Sequence, residues 1–253
     1  SGARIALRAL RVNALRTALT MLGIIIGVGA VIAMVSVGAG AQARVAEQIQ
    51  SLGSNMIIVL SGSTTSGGVR LGHGTQLTIT EEDAWTIARE VPGVQTAAPS
   101  MRGSGQVVYS NLNWSTVLHG VTPEFFEARE WGVVVGKPFT QEDVEGATKV
   151  ALLGQTVTQN LFADSDPLGH VIRIRKVPFT VIGVLDRKGQ NTWGQDQDDT
   201  ILIPLSTAKK KVMGVSQANA RAVGAISIKV KEGADMKEAE QQIRDLLRQR
   251  HRL

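Results

Sequence analysis

The chain has 253 residues, no cysteine and a formal net charge of +5, which allows one large domain or two modest ones and excludes disulfide frameworks and Cys-based zinc sites. Residues 1–16 hold Arg4, Arg8, Arg11 and Arg16 and no acid, so the rest carries 23 basic and 22 acidic side chains. A nucleic-acid-binding body needs a basic stripe interleaved with aromatics, and one Tyr, four Trp and five Phe argue against that class.

Between Arg16 and Arg44 run 27 residues without a charge. A bilayer core takes about 20 apolar residues in a helix, so Thr17 to about Val37 reads as a membrane span. The four arginines before it form a basic cytoplasmic arm (1–16), which sends the chain after about residue 40 across the membrane. Gly23 and Gly27 form a GxxxG, continued by Gly29 and Ala33, a pattern that permits close helix packing in lipid; glycines are also simply common in membrane helices. Three other readings weaken on inspection. Gly38 to Ala43 fits a dinucleotide GxGxxA, but no Asp or Glu lies between Glu47 and Glu81 to hold a ribose. Ala41-Gln42-Ala43 offers a signal-peptidase site behind an apolar run that is too long. A buried core helix rarely runs this far uncharged. Val45, Ile49 and Leu52 continue a helical spacing and Gly53 suits a C-cap. A helix from Thr17 to Leu52 is about 54 Å long, several turns more than a bilayer core needs. The excess reads as a stalk, with Gly38 and Gly40 as places for a bend.

Beyond it, NMIIVLSG (55–62) reads as a buried strand and the following Gly/Ser/Thr-rich stretch as a loop. Thr80-Glu81-Glu82-Asp83 opens a helix with a capping pattern and an apolar face of Ala84, Ile87, Ala88 and Val91, stopped by Pro92-Gly93. GQVVYS and STVLHGV read as short strands around a turn at Asn111–Asn113. From 122 to about 214, VVV, KVALLG, VIRIR, PFTVIGVL and TILIPL alternate with turns and a helix near 155–163. AISIKVK is a last strand. Asp235 then caps a helix with Glu238 at N3, burying Ala239, Ile243, Leu246 and Leu247. The expected fold is α+β, an α+β layer interrupted by a β-rich module.

The chemistry-bearing motifs are weak. His73, His119, His170 and His251 lack helical spacing for metal binding. There is no GxSxG elbow. Gly132 to Pro138 falls short of a phosphate loop, with three residues between its glycines and Pro after Lys137, so ATP hydrolysis is not expected on this chain. Asp196, Asp198 and Asp199 lack the glycine and distal glutamate of a calcium loop and read as a polar turn. Trp193 beside them fits an exposed contact or a half-buried anchor equally well. Asp166-Pro167-Leu168-Gly169 reads as a β-turn. No catalytic, cofactor-binding or metal-ligating residue is assigned, and Gly23 and Gly27 are the only site candidates.

RALRVNALRTALTMLGIIIGVGAVIAM resembles the first transmembrane helix of MacB/FtsX-type ABC transporter permeases. LGSNMIIV, VLHGVTPEFF, VALLGQTVTQNLF, DPLGHVIRI, FTVIGVL and the stretch from Asp198 to Pro204 resemble successive segments of the MacB periplasmic core. The likeness covers nearly the whole chain in order. It implies an inner-membrane location and a porter-like α+β subdomain (54–121 and 220–253), preceded by the transmembrane helix and stalk (17–53) and split by a β-rich insertion (122–219). It also implies a homodimer with four membrane helices per copy, an ABC ATPase subunit or domain, a periplasmic adaptor and a TolC-type outer-membrane channel. The implied task is to pass ATP-driven motion to the periplasm for efflux of drugs, peptides or similar substrates. A FtsX-like platform that activates a cell-envelope enzyme, or a Lol-like lipoprotein-releasing permease, is the alternative. Helices two to four and an ATPase domain are absent from this sequence and its first residue is Ser, so it is expected to be a piece of a longer protein.

Overall fold

The computed structural model describes residues 13–51, 55–62, 65–66, 69–70, 76–191, 194–215 and 220–252. The chain divides into two compact units, Ser1–Ser51 and Leu52–Leu253.

Among its described residues the first unit holds one helix, α1 (Ala14–Ser51), of 38 residues and continuous through Gly38 and Gly40. The basic arm and the C-cap expected at Gly53 lie outside the described residues.

The second unit is organised by one nine-stranded sheet. Its backbone is a hairpin of β5 (Val94–Tyr109) and β6 (Leu112–Val121), paired from Ser100↔Val121 to Tyr109↔Leu112. The sequence shows most of β6, as STVLHGV, but only the outer end of β5, as GQVVYS, because Pro99 and Gly103 interrupt the β-propensity signal ahead of it. The turn itself is tighter than expected, with Ser110 at φ 54 and Asn111 completing a two-residue loop, the length that matches strand twist best.

The inner half of β5 pairs with β13 (Ala225–Val230), and β13 pairs with β1 (Met56–Leu60). Helices α2 (Glu81–Glu90) and α7 (Met236–His251) pack on this part. Ala84, Ile87, Val91, Val94, Ala97, Ile226, Ile228 and Ile243 form its core. β1 is an edge strand, which corrects the reading of NMIIVLSG as buried: Ile57 and Val59 pack inward, whereas Ile58 and Leu60 are 45% and 51% exposed. An unbroken apolar run does not reveal which faces a sheet covers. Ala88, assigned to the apolar face of α2, is exposed, and Asp83 and Thr86 are buried instead.

The outer half of β5 and the whole of β6 help close a barrel. β6 pairs with β11 (Thr200–Pro204) in parallel, β11 with β8 (Val150–Leu153), and β8 with β10 (Val177–Leu185) in parallel. β10 then pairs with β9 (Val171–Ile174), and β9 returns to β5 through Val107↔Ile174. Closure leaves no edge on this ring. Its interior holds Val107, Leu118, Ala151, Leu153, Ile172, Ile174, Phe179, Val181, Ile201 and Ile203, plugged by Val157, Leu161 and Phe162 of α5 (Gln155–Phe162). β7 (Val133–Gly136) adds to the far edge of β10. The short helices α3 (Glu124–Ala128) and α4 (Gln141–Glu145) were not expected from the sequence. α3 covers a third apolar cluster with Phe125, Ala128, Trp131, Phe139, Leu185 and Leu202. Also unexpected were α6 (Leu205–Thr207) and the π-helical turn Ala208–Val212 that follows it.

Smaller pairings complete the unit: β4 (Ile79–Thr80) with β12 (Ala222–Val223), and β2 (Thr65–Ser66) with β3 (Val69–Arg70). The latter pair lies inside the stretch read as a loop. The DPLG turn sits one residue later than expected. His170 N–H donates to Pro167 O at 3.3 Å across Leu168 and Gly169, and Gly169 has φ +77, a conformation that glycine adopts freely. Asp166 instead accepts from Leu168 N–H at 3.0 Å.

Candidate functional site

Ala14–Gly38 is uncharged after Arg16, has a mean hydropathy of 2.5 and buries none of its residues in the protein. Leu19, Ile25, Val31 and Val35 are each 62–67% exposed. In water that surface is costly, and in a bilayer it is matched by lipid chains. Among the described residues, and apart from the helix's own backbone, neither Gly23 nor Gly27 has anything within 4 Å of the position a Cβ would take.

Within the second unit, charges concentrate at three places. The first is the opening turn of α2. Thr80 Oγ1 accepts from Asp83 N–H, and the Asp83 carboxylate accepts from Thr80 N–H at 2.9 Å, closing a capping box. The same carboxylate, 1% exposed, accepts from Arg250 Nε at 2.7 Å and from His251 Nε2 at 2.8 Å, both on the last turn of α7. Burial pushes the Asp83 carboxyl up, but the hydrogen bonds from Arg250, Thr80 N–H and His251 outweigh it and hold it below its ordinary value. Beside it, Glu81 takes Lys209 Nζ of the π-turn at 2.5 Å, and Glu82 takes Arg221.

The second place is cationic and surrounds α3. Lys188 Nζ donates to Arg129 O at 2.5 Å and stands 5.3 Å from the Trp131 ring centroid. The Arg129 guanidinium lies 5.9 Å from the Phe125 ring, whose other neighbour is His119 at 6.3 Å. Such placements stabilise a cation over an aromatic face. Burial, then the proximity of Arg129, holds Lys188 down to about 8, with Glu130 and Asp198 pulling the other way. Burial, then Arg102 and Arg129, holds His119 down to about 3, so it is neutral at pH 7. Glu130 is drawn below its usual value by the hydrogen bond from Lys229, at 2.5 Å.

The third place is the acidic stretch Asp196–Asp199, read from sequence as a polar turn. It is a clamp. Asp198 is buried and accepts from the N–H groups of Lys188 and Gly189 at 2.7 and 2.9 Å. Asp199 accepts from Trp114 Nε1 at 2.8 Å and Thr116 Oγ1 at 2.7 Å, and Asp196 from Thr156 Oγ1 at 2.5 Å. These carboxylates fasten β6, α5 and the loop after β10 to one another. Trp193 lies outside the described residues, as does His73. His170 pairs with the Tyr109 hydroxyl at 3.2 Å, so the three described histidines sit in three separate settings. Among the described residues no group of three or more His, Asp or Glu is placed to hold a metal ion. The α2 hub escaped the sequence reading, which used Thr80–Asp83 only as a cap. The Lys209-Lys210-Lys211 run carried no sign that Lys209 alone is buried.

An apolar helix long enough to cross a membrane, ahead of an α+β domain with a closed β-barrel set into it, defines the class as a membrane-anchored α+β domain. The chain belongs to the family of the MacB-like periplasmic core domain, whose model matches residues 17–246. It is 46% identical over 215 residues to a macrolide export ATP-binding/permease protein MacB of Syntrophobacter fumaroxidans, covering 85% of this chain and 30% of that protein. With the corresponding protein of Bdellovibrio bacteriovorus it is 38% identical over 244 residues, covering 96% and 37%. The chain thus spans about a third of the length of these relatives. Among solved structures, it resembles the periplasmic region of MacB from Actinobacillus actinomycetemcomitans, with a TM-score of 0.65, 25% identity and coverage of 80% and 87%. The extracellular domain of a noncanonic ABC-type transporter from Gram-positive bacteria shares the fold, with a TM-score of 0.60 at 20% identity and coverage of 78% and 95%. This chain is therefore the transmembrane and periplasmic part of a MacB-type ABC permease. One helix, Ala14–Gly38, spans the inner membrane, and the domain that follows it is periplasmic.

Proposed function

We propose that this chain transmits the motion of an ATP-driven partner across the membrane to a periplasmic domain that drives efflux. The observation that carries the reading is its likeness, over 85–96% of its length, to proteins named for macrolide export and ATP binding. On this reading a nucleotide-binding subunit or domain supplies the hydrolysis. The permease works as a homodimer, and a periplasmic adaptor leads to a TolC-type outer-membrane channel. The mechanical parts follow the division into 54–121 with 220–253 and the insertion 122–219. What supports this division is that one core draws mainly on the former residues and the barrel core mainly on the latter, with β5 running from one to the other. Gly23 and Gly27 are proposed as a packing face for another membrane helix. The test is to express the full permease with its ATPase and adaptor in a drug-sensitive host, then measure resistance and substrate-stimulated ATPase. Raised resistance to macrolides or peptides is expected. No change in either measurement across a broad panel would overturn efflux and favour a platform that regulates an envelope enzyme.

A further inference from the structure

Three consecutive acids open α2, and each binds a cation from a different, later part of the chain. Glu81 holds Lys209 of the π-turn, whose side chain is 7% exposed. Glu82 holds Arg221, just ahead of β12. Asp83 holds Arg250 and His251 at the end of α7. The partners lie 128, 139 and 167 or more residues away in sequence. Backbone bonds knit the same spot: Glu81 N–H donates to Arg221 O at 2.9 Å, and Lys209 Nζ donates to Ala220 O at 2.9 Å. Thr80, which caps the helix, pairs with Ala222 between β4 and β12.

We infer that the first turn of α2 is a coupling node, through which displacement of the last turn of α7 is passed to the π-turn at 208–212 and to the 220–223 segment. The reason is shared groups. The Asp83 carboxylate that grips α7 is also the one that closes the capping box on Thr80 N–H. Pulling Arg250 and His251 away therefore disturbs the cap, and the cap fixes the orientation of Glu81 and, with it, Lys209. Three independent surface pairs would each respond alone; here Arg250, His251 and the Thr80 N–H share the Asp83 carboxylate, and Glu81 and Glu82 follow in the same capped turn, so the three grips respond together. The π-turn is joined to β11, a stave of the barrel, by the single turn of α6, so the node joins α7 of the α+β layer to the inserted module. The inference deepens the transport reading by naming a linkage between its two mechanical parts.

Hydrogen–deuterium exchange on the full-length permease tests it. The double variant Arg250→Met, His251→Gln is expected to raise exchange several-fold at 205–212 and 220–223 as well as at the end of α7. Lys209→Met is expected to raise it at the end of α7, since coupling is reciprocal. Arg244→Met, which removes an exposed pair with Glu240 on the same helix, should leave 205–212 unchanged. Effects confined to the mutated element, or an equal response to Arg244→Met, would overturn the node. Drug resistance measured on the same strains addresses the transport reading separately: absence of resistance in the parent permease sinks that reading and leaves the exchange result standing.

Discussion

His119 illustrates how a single residue carries a measurable consequence of its surroundings. It sits on β6 opposite Arg102, near the Phe125 ring and within the field of Arg129. Burial and the two guanidinium groups both disfavour its charged form, hence a folded pKa of about 3 against an ordinary 6.5. The unfolded chain therefore takes up this proton first. Stability is intact above pH 6.5 and is lost progressively as pH falls from 6.5 toward 3. Between pH 7 and 5 the loss from this one group is about 1–2 kcal/mol. Urea unfolding of the parent and of His119→Gln across that range should show the difference between them shrink by this amount as pH falls. Parallel curves would mean that His119 ionises freely in the folded protein. Nothing near His119 in the sequence signals this, because the cations around it come from β5 and from the residue following α3.

At the level of elements, the well-read segments are those whose signal is local. Thr80 with Asp83, and Asp235 with the N–H groups of Lys237 and Glu238, cap their helices as read. Ala84, Ile87, Val91, Ala239 and Ile243 bury as their spacing requires. β5 was not legible, since its sixteen residues are held by pairing on both sides despite Pro99 and two glycines. The Asp196–Asp199 clamp was illegible for a related reason: what makes it a clamp is the approach of β6, α5 and the loop at 188–189. That clamp leaves a sharp mark at Gly154, the N-cap of α5. A Cβ there would stand 2.1 Å from Asp198 O and 3.0 Å from Thr200 O. Both oxygens are engaged, accepting from Thr156 N–H and Gly154 N–H, so neither can retreat without losing a hydrogen bond. Gly154→Ala should destabilise the domain by about 2–3 kcal/mol, at the upper end of overpacking costs, whereas Gly132→Ala, with nothing within 4 Å of its Cβ position, should be neutral. Thermal melts of the two variants side by side check this. A Gly154→Ala variant as stable as the parent would refute the close approach.

For the molecule as a whole, the membrane helix and the periplasmic domain obey different rules. The domain buries its apolar side chains in three clusters, and the helix buries none across Ala14–Gly38. Among the described residues nothing packs against Gly23 or Gly27, and on the proposed reading another membrane helix does. This makes the proposed packing face testable without ambiguity. Replacing both glycines with Leu meets open space within this chain, keeps the hydropathy needed to span, and removes the backbone approach that small residues permit. In the full permease, membrane insertion and the melting of the periplasmic domain should be unchanged. Cysteine cross-linking across the membrane segments, together with drug resistance, should fall several-fold. Leu is the informative substitute because it is as compatible with lipid as any residue. A loss therefore reports a helix that no longer fits, and unchanged cross-linking would mean that this glycine face meets only lipid.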